Sequence, residues 1–243
     1  MLVLAVHGSA DPAAAKAVRR LAVSVEALGG IRPLVGHLDM QRPSLAEVAR
    51  EHPGSVVVPL LLGDGYHLRV DIPAVLEGTG CRPTRGLGGE PAVATALYGR
   101  LREAERRQGP RARADAVLVA GAGSSRPGGN EGTTAAAARL SKLLAADRGP
   151  GRVPVVPAYL TSAGPTVPEA LAALREAGHR RIAVAAHLLA PGRFTRTLAG
   201  AGAWTVTDPL ADHPRIARLV LDRYESQESA RGTRVPRAAR LAC

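Results

Sequence analysis

Aromatic side chains are nearly missing from this chain, with one Phe, one Trp and four Tyr among 243 residues. Proteins that bind single-stranded nucleic acid stack bases on aromatic rings, so that class loses its main instrument here. The core must be built from Leu, Val, Ile and Ala, in closely packed helices and strands. Cysteine is equally scarce: Cys81 and Cys243 form no ligand or disulfide pattern, which fits a reducing cytosol. Long apolar runs are absent too. Leu2–Val6 is too short, and too soon followed by His7-Gly8-Ser9-Ala10-Asp11, for a signal peptide or membrane span. The expectation is a soluble, cytoplasmic protein with no membrane partner. No Gly-x-Gly-x-x-Gly opens a helix and no phosphate-loop lysine follows one, so nucleotide binding has little support. A hydrolase triad of Ser9, His7 and Asp39 lacks the Gly-x-Ser-x-Gly elbow and has poor geometry, its His and Ser sharing one loop.

Positive charge is what the chain has in excess. The formal net charge of +11 implies an acidic partner. The arginines are scattered and the stacking residues few, so a small polyanion is expected rather than nucleic acid. Part of the charge belongs to residues 226–243, where Arg231, Arg234, Arg237 and Arg240 sit among small polar residues without an apolar period. That segment is expected to be a disordered basic tail.

Short apolar runs alternate with stretches of helical period, the pattern of βα units on a parallel sheet. Strands are predicted at Leu2–Val6, Ile31–Leu38 and Ser55–Leu62, with an edge strand at Thr84–Leu87. Helices are predicted from Pro12, N-capped by Asp11, to Leu28, and over Ser44–Arg50, Ile72–Glu77 and Pro91–Arg107. Gln108–Arg113 reads as a linker. The programme then restarts, with strands at Asp115–Ala120, Val153–Leu160 and Arg181–Leu189 and helices at Glu131–Ala146, Pro168–Ala177 and His213–Tyr224. His7-Gly8-Ser9 aligns with Ala122-Gly123-Ser124, and Leu61-Leu62-Gly63-Asp64-Gly65-Tyr66-His67 with Leu188-Leu189-Ala190-Pro191-Gly192-Arg193-Phe194. The expected fold is therefore α/β: two similar lobes related by internal duplication, each a small parallel sheet flanked by helices, over residues 1–108 and 114–225.

The repeat is informative where it fails. His7 and His67 in the first half face Ala122 and Phe194 in the second. In a parallel sheet ligands bind outside the carboxyl ends of the strands, where both histidines fall. Two neutral imidazoles and a carboxylate suit a borderline divalent ion and leave coordination positions open. Strand alternation puts His37 and Asp39 on one face, with Asp39 at the same edge as His7. His52, His179 and His213 read as ordinary surface or helix-start histidines, and His187 as internal or cleft-facing. Asp64, between two glycines, reads as a turn residue; Asp71, before Ile72-Pro73, reads as an N-cap. Ser9 and the amides beside it, at a helix start, are candidates to hold a carboxylate.

His7-Gly8-Ser9-Ala10-Asp11-Pro12, Pro59-Leu60-Leu61-Leu62 with Gly65-Tyr66-His67, and Asp71-Ile72-Pro73 resemble the signatures of the class II tetrapyrrole chelatases. The duplicated halves are similar to the long, two-domain sirohydrochlorin chelatases over roughly residues 1–225. The resemblance implies insertion of Fe2+ or Co2+, with Ni2+ a further candidate, into a polycarboxylated tetrapyrrole for sirohaem or cobalamin synthesis. It implies that His7 and His67 handle metal and protons, with Asp39 where the family commonly has Glu. Ser9, Arg69, Arg193 and Arg196 are the expected substrate-binding residues. No organic cofactor is expected, and one chain carrying both lobes is expected to act as a monomer. The alternative is a non-catalytic tetrapyrrole or metal carrier on the same scaffold.

Overall fold

The computed structural model describes residues 1–63 and 65–232. Among them are two four-stranded, all-parallel sheets. The first half runs β1 (Leu2–Val6), α1 (Pro12–Gly29), β2 (Leu34–His37), α2 (Leu45–Glu51), β3 (Val56–Pro59), a π-helical turn (His67–Asp71), α3 (Ile72–Leu76), β4 (Arg82–Pro83) and α4 (Pro91–Gln108). The second runs β5 (Ala116–Gly121), α5 (Glu131–Arg148), β6 (Val155–Tyr159), α6 (Val167–Glu176), β7 (Ile182–Ala186), α7 (Arg193–Ala199), β8 (Thr205–Val206) and α8 (Pro214–Gly232). Strand order is β2-β1-β3-β4 in one sheet and β6-β5-β7-β8 in the other.

The two halves follow one local plan. Ser44 caps α2 and Thr166 caps α6, each in a capping box with a glutamate three residues on, Glu47 and Glu169. Gly8 and Gly123 both have positive φ, and a Cβ at either would overlap a carbonyl oxygen, that of Asp39 or of Thr161. Only glycine fits where the turn after the first strand of each lobe passes so close to its neighbour.

Side-chain alternation along the strands feeds three apolar cores. Leu2, Leu4 and Val6 of β1 and Val117 and Val119 of β5 join one central cluster with α1, α4, α5 and α8. Val3 and Ala5 face α2 and α3 on the outside of the first lobe. Ala116, Leu118 and Ala120 face α6 and α7 on the outside of the second. The inner helices are exchanged between lobes: α8 packs against α1 and β3, while α4 packs against α5, β7 and β8. Gly29 lets α8 approach α1, since a side chain there would meet Leu221. The sequence boundary at 108–114 therefore separates two sheets without separating their cores.

Four elements differ from the sequence expectation. The edge strand is β4, ahead of Thr84–Leu87, although the Thr84 N–H still donates to the Val57 carbonyl. The helix α7 and strand β8 were not anticipated. The last helix does not stop at Tyr224 but reaches Gly232, so residues 226–232 are helical rather than disordered. Ion pairs replace the missing apolar stripe: Arg82 holds Glu228 and the Gln227 carbonyl, and Arg218 pairs with Asp222 and Glu225. Residues 233–243 of the expected tail lie outside the described residues.

Between α4 and α5 sits a fully buried carboxylate. Glu105 accepts from the Arg148 guanidinium at 2.8 Å and from the Ala114 N–H at 2.8 Å. Removing Glu105 orphans the buried Ala114 N–H and leaves the Arg148 guanidinium with only Asp147 and the Ala114 carbonyl; breaking a buried pair costs about 3–5 kcal/mol. Glu105→Ala should lower unfolding free energy by that amount in urea denaturation; a loss below about 1 kcal/mol would show that water already satisfies Arg148 there.

Candidate functional site

The first sheet brings His7 and His67 together at its carboxyl edge. His7 follows β1, and His67 opens the π-helical turn beyond β3. Their rings meet edge to face, with centroids 4.6 Å apart. His7 Nδ1 lies 3.2 Å from the Gly8 carbonyl oxygen, an acceptor, so this nitrogen carries the proton. His67 Nδ1 lies 2.6 Å from Asp71 Oδ2 and donates to it. Both rings thus leave Nε2 with a free lone pair, the arrangement a metal-ligating histidine needs, its tautomer fixed by an oxygen behind it.

Asp71 is the acidic residue that reaches the histidine pair. The N-cap role expected for it is not observed: its φ and ψ of −68° and −46° are already helical, and its side chain makes no capping bond. Spacing held the clue, because residues four apart in a helical turn share a face. Asp39 is placed differently. Its N–H donates to the His7 carbonyl at 2.9 Å, but its exposed carboxylate turns to the Met40 N–H at 2.7 Å. Asp64 lies outside the described residues.

A cleft of about 660 Å3 opens beside His7, between the β1–α1 loop and the β7–α7 loop of the opposite lobe. Ser9, Arg193 and Arg196 line it, and so do His37, Gln41 and Phe194. Ser9 is committed locally, its Oγ accepting from the Asp11 N–H and its own N–H donating to Gln41. Asp11, not Ser9, caps α1. Arg196 is also engaged, in an ion pair with Asp11 across the lobes. The Ala13 N–H and that guanidinium hold the Asp11 carboxyl below its ordinary range. Arg69 does not line this cleft; it projects to Gly128 of the second lobe. Among the described residues no three His, Cys, Asp or Glu side chains group closely enough to hold a metal ion. Two imidazoles offer a partial ligand set, able to hold an ion with most of its coordination positions open.

Four further histidines make local contacts. His213 accepts from the Arg215 N–H at the start of α8, His179 lies 3.8 Å from Asp115, and His37 donates to the Pro43 carbonyl at 3.0 Å. His187 is buried at the end of β7, where its N–H pairs with Ala120 as that of Leu60 pairs with Ala5. Its Nδ1 meets Thr133 Oγ1 at 3.1 Å, and its Nε2 has no partner among the described residues. Among the described residues no helix is long and apolar enough to cross a membrane.

Two parallel α/β lobes facing each other, duplicated in plan and with the histidine pair kept in one of them, define a chelatase-like fold. The family model named CbiX matches residues 1–104 and 116–227. The chain belongs to the CbiX family. No curated protein sequence matches it significantly. Among solved structures it is similar to SirB from Bacillus subtilis with Fe3+, at 20% identity and a TM-score of 0.75, covering 96% of this chain and 97% of that one. It is also similar to CbiX, the terminal enzyme for biosynthesis of siroheme in denitrifying bacteria, at 18% identity and a TM-score of 0.68, covering 93% and 98%. DR2241 from Deinococcus radiodurans, a multi-domain protein with structural similarity to chelatases, aligns at 22% identity and a TM-score of 0.65 over 92% of this chain and 54% of that one. At these identities the likenesses establish the fold.

Burial drives the His187 pKa down from 6.5 to about 4. Between those values the unfolded chain takes up a proton that the folded chain refuses, so stability is lost as pH falls from 6.5 towards about 4. The loss is on the order of 3 kcal/mol. His187→Leu, which installs the residue found at the equivalent Leu60, should flatten the decline of the urea midpoint over that window. An unchanged slope would place the acid sensitivity elsewhere.

Proposed function

We propose that this protein is a metal chelatase that inserts Fe2+ or Co2+ into sirohydrochlorin. The observation that carries the reading is the His7–His67 pair at the mouth of the inter-lobe cleft, each ring with Nδ1 committed to an oxygen and Nε2 free. Family membership supports it, as do the SirB relative determined with Fe3+ and the CbiX relative described as a terminal enzyme of siroheme biosynthesis.

Metallation must strip water from the ion and remove two protons from the pyrrole nitrogens. A weak ligand set serves the first need, since a closed shell would retain the ion. An imidazole near neutral pKa serves the second, because it can accept a proton at the pH of the cell. His7 and His67 divide these tasks, and Asp71 holds the His67 ring in place through its Nδ1. Asp39, hydrogen-bonded within its own turn, reaches neither ring in this arrangement and would need a rotamer change to join them. The cleft itself is largely aliphatic, with Val6, Ala14, Val18, Leu60, Leu188 and Leu189 in its walls. Such walls suit the flat face of a macrocycle, while Arg193 at the margin suits its carboxylates. Fe2+ would place the protein in sirohaem synthesis and Co2+ in cobalamin synthesis; imidazole ligands accept both ions. One chain builds both sides of the cleft, so the proposed working form is a monomer in the cytoplasm.

Anaerobic absorbance of sirohydrochlorin with catalytic amounts of protein and Fe2+ or Co2+ tests this reading. Many equivalents should be converted, and His7→Ala should abolish the conversion. A rate equal to the spontaneous one for both ions would overturn the reading and leave a stoichiometric carrier on the same scaffold. Asp71→Asn should keep the fold and weaken Co2+ binding by about 10–100-fold in calorimetry, the usual cost of losing a carboxylate behind a ligating histidine. Equal affinity would mean that Asp71 only holds the turn.

A further inference from the structure

The duplication that pairs His7 with Ala122 and His67 with Phe194 also pairs charged residues that sit across the lobes. Asp11 corresponds to Arg126: the N–H of each donates to the serine two residues earlier, Ser9 or Ser124. Arg196 corresponds to Arg69, each two residues beyond Phe194 or His67. On one side of the molecule this relation gives an acid and a base, the Asp11–Arg196 ion pair. On the other it gives two arginines.

Arg126 reaches across to the first lobe, its guanidinium carbon 4.7 Å from the centre of the Tyr66 ring, next to His67. Arg69 reaches the opposite way, its Nη2 within 3.4 Å of the position a Cβ on Gly128 would take. Among the described residues neither guanidinium forms an ion pair; the Glu131 carboxylate, on the same loop, pairs with neither. Arg126 lines a hollow of about 500 Å3 together with Ser124, Ser125, Asn130, Glu131 and Thr134, and Arg69 approaches its edge at Gly128. Its loop is set by Asn130, whose side-chain amide bonds both the N–H and the carbonyl of Ser124, at 2.9 and 2.8 Å. Among the described residues two guanidiniums from opposite lobes stand beside the single Glu131 carboxylate and pair with neither it nor another acid, a surplus of positive charge that favours an anion, and planar guanidinium forks match carboxylates.

We propose that Arg69 and Arg126, one from each lobe, form a carboxylate-binding pair that grips the acidic rim of the tetrapyrrole on the His67 side. This rests on the chelatase reading above. His7 faces the aliphatic cleft while His67 adjoins Tyr66 and Arg126, so the macrocycle spans the histidine pair with its carboxylates anchored beyond it. Arg196, held by Asp11, closes the opposite side and takes no carboxylate.

Steady-state Co2+ insertion into sirohydrochlorin by the full chain and its Arg69→Ala, Arg126→Ala and Arg126→Asp variants tests the pair. Loss of one charge-assisted contact should raise KM about tenfold and leave kcat within about twofold. Arg126→Asp should raise KM further, because it recreates with Arg69 the ion pair that Asp11 makes with Arg196. The slope of log KM against log salt should be shallower in every variant, which a purely structural role for these exposed side chains would not produce. Wild-type KM and salt slope in both alanine variants, beside an active parent, would overturn the pair and leave the chelatase reading intact. Should the parent fail to metallate, fluorescence quenching by metal-free sirohydrochlorin decides separately: weaker binding in the order wild type, Arg126→Ala, Arg126→Asp supports the pair, while equal or absent binding overturns it.

Discussion

Four helices between two sheets fix everything that happens at the cleft. Because α1, α4, α5 and α8 share one apolar core with the inner faces of both sheets, the carboxyl edges of the lobes cannot rotate independently. Exchange of α4 and α8 strengthens this: each lobe is completed by a helix from the other half of the chain. Opening the cleft by a hinge would drag Leu219, Val220 and Leu221 or Leu97 and Leu101 out of a packed interior, at about 1.5–3 kcal/mol for each large side chain exposed. The lobes therefore present a preformed gap. Ion pairs at its margins, Arg20 and Arg100 to Asp212 and Arg196 to Asp11, add register more than energy.

Within that frame the duplication has been edited at a handful of positions. The turns that pass beneath Gly8 and Gly123 are kept because the backbone needs them. Imidazole is kept at the edge of one lobe only. In the other, Phe194 stands where His67 would be and lines the same cleft as His7. The chain has a single phenylalanine, and it occupies the position where a flat ligand entering the cleft would find an aromatic face. The second lobe carries a histidine, His187, at the place of Leu60; buried and with its pKa lowered by that burial, it belongs to the interior, bonded to Thr133.

Much of this was legible in the residues. Alternating apolar runs and helical stretches give the parallel sheets, and the histidine asymmetry is visible as soon as the halves are aligned. What was hidden has physical reasons. An apolar helical stripe says that α4 and α8 bury a face, not which sheet receives it, so their exchange carries no sequence signal. Residues 226–232 lack an apolar period, and α8 is held there by Arg82, which meets Glu228 and the Gln227 carbonyl. Asp71 looked like a cap because Pro73 follows it closely, yet the helical turn begins four residues earlier, at His67. A carboxylate already inside a helix cannot cap it, and is free to reach back one turn.

That displacement bears on how the acid should be sought in this fold. A carboxylate at the end of β2 must cross the gap to the β3 loop to influence His67, and Asp39 is one methylene shorter than a glutamate would be. Here its carboxylate closes on the Met40 N–H, where Met40 takes a positive φ of 65°. A non-glycine residue in that region costs about 1–2 kcal/mol, and the Asp39 bond offsets part of the cost. Asp39 thus holds the β2–α2 turn, while Asp71 has the contact with imidazole. The two carboxylates divide by reach: the one on a rigid turn beside its histidine can fix a tautomer, and the one across the gap can act only if the turn that uses it lets go.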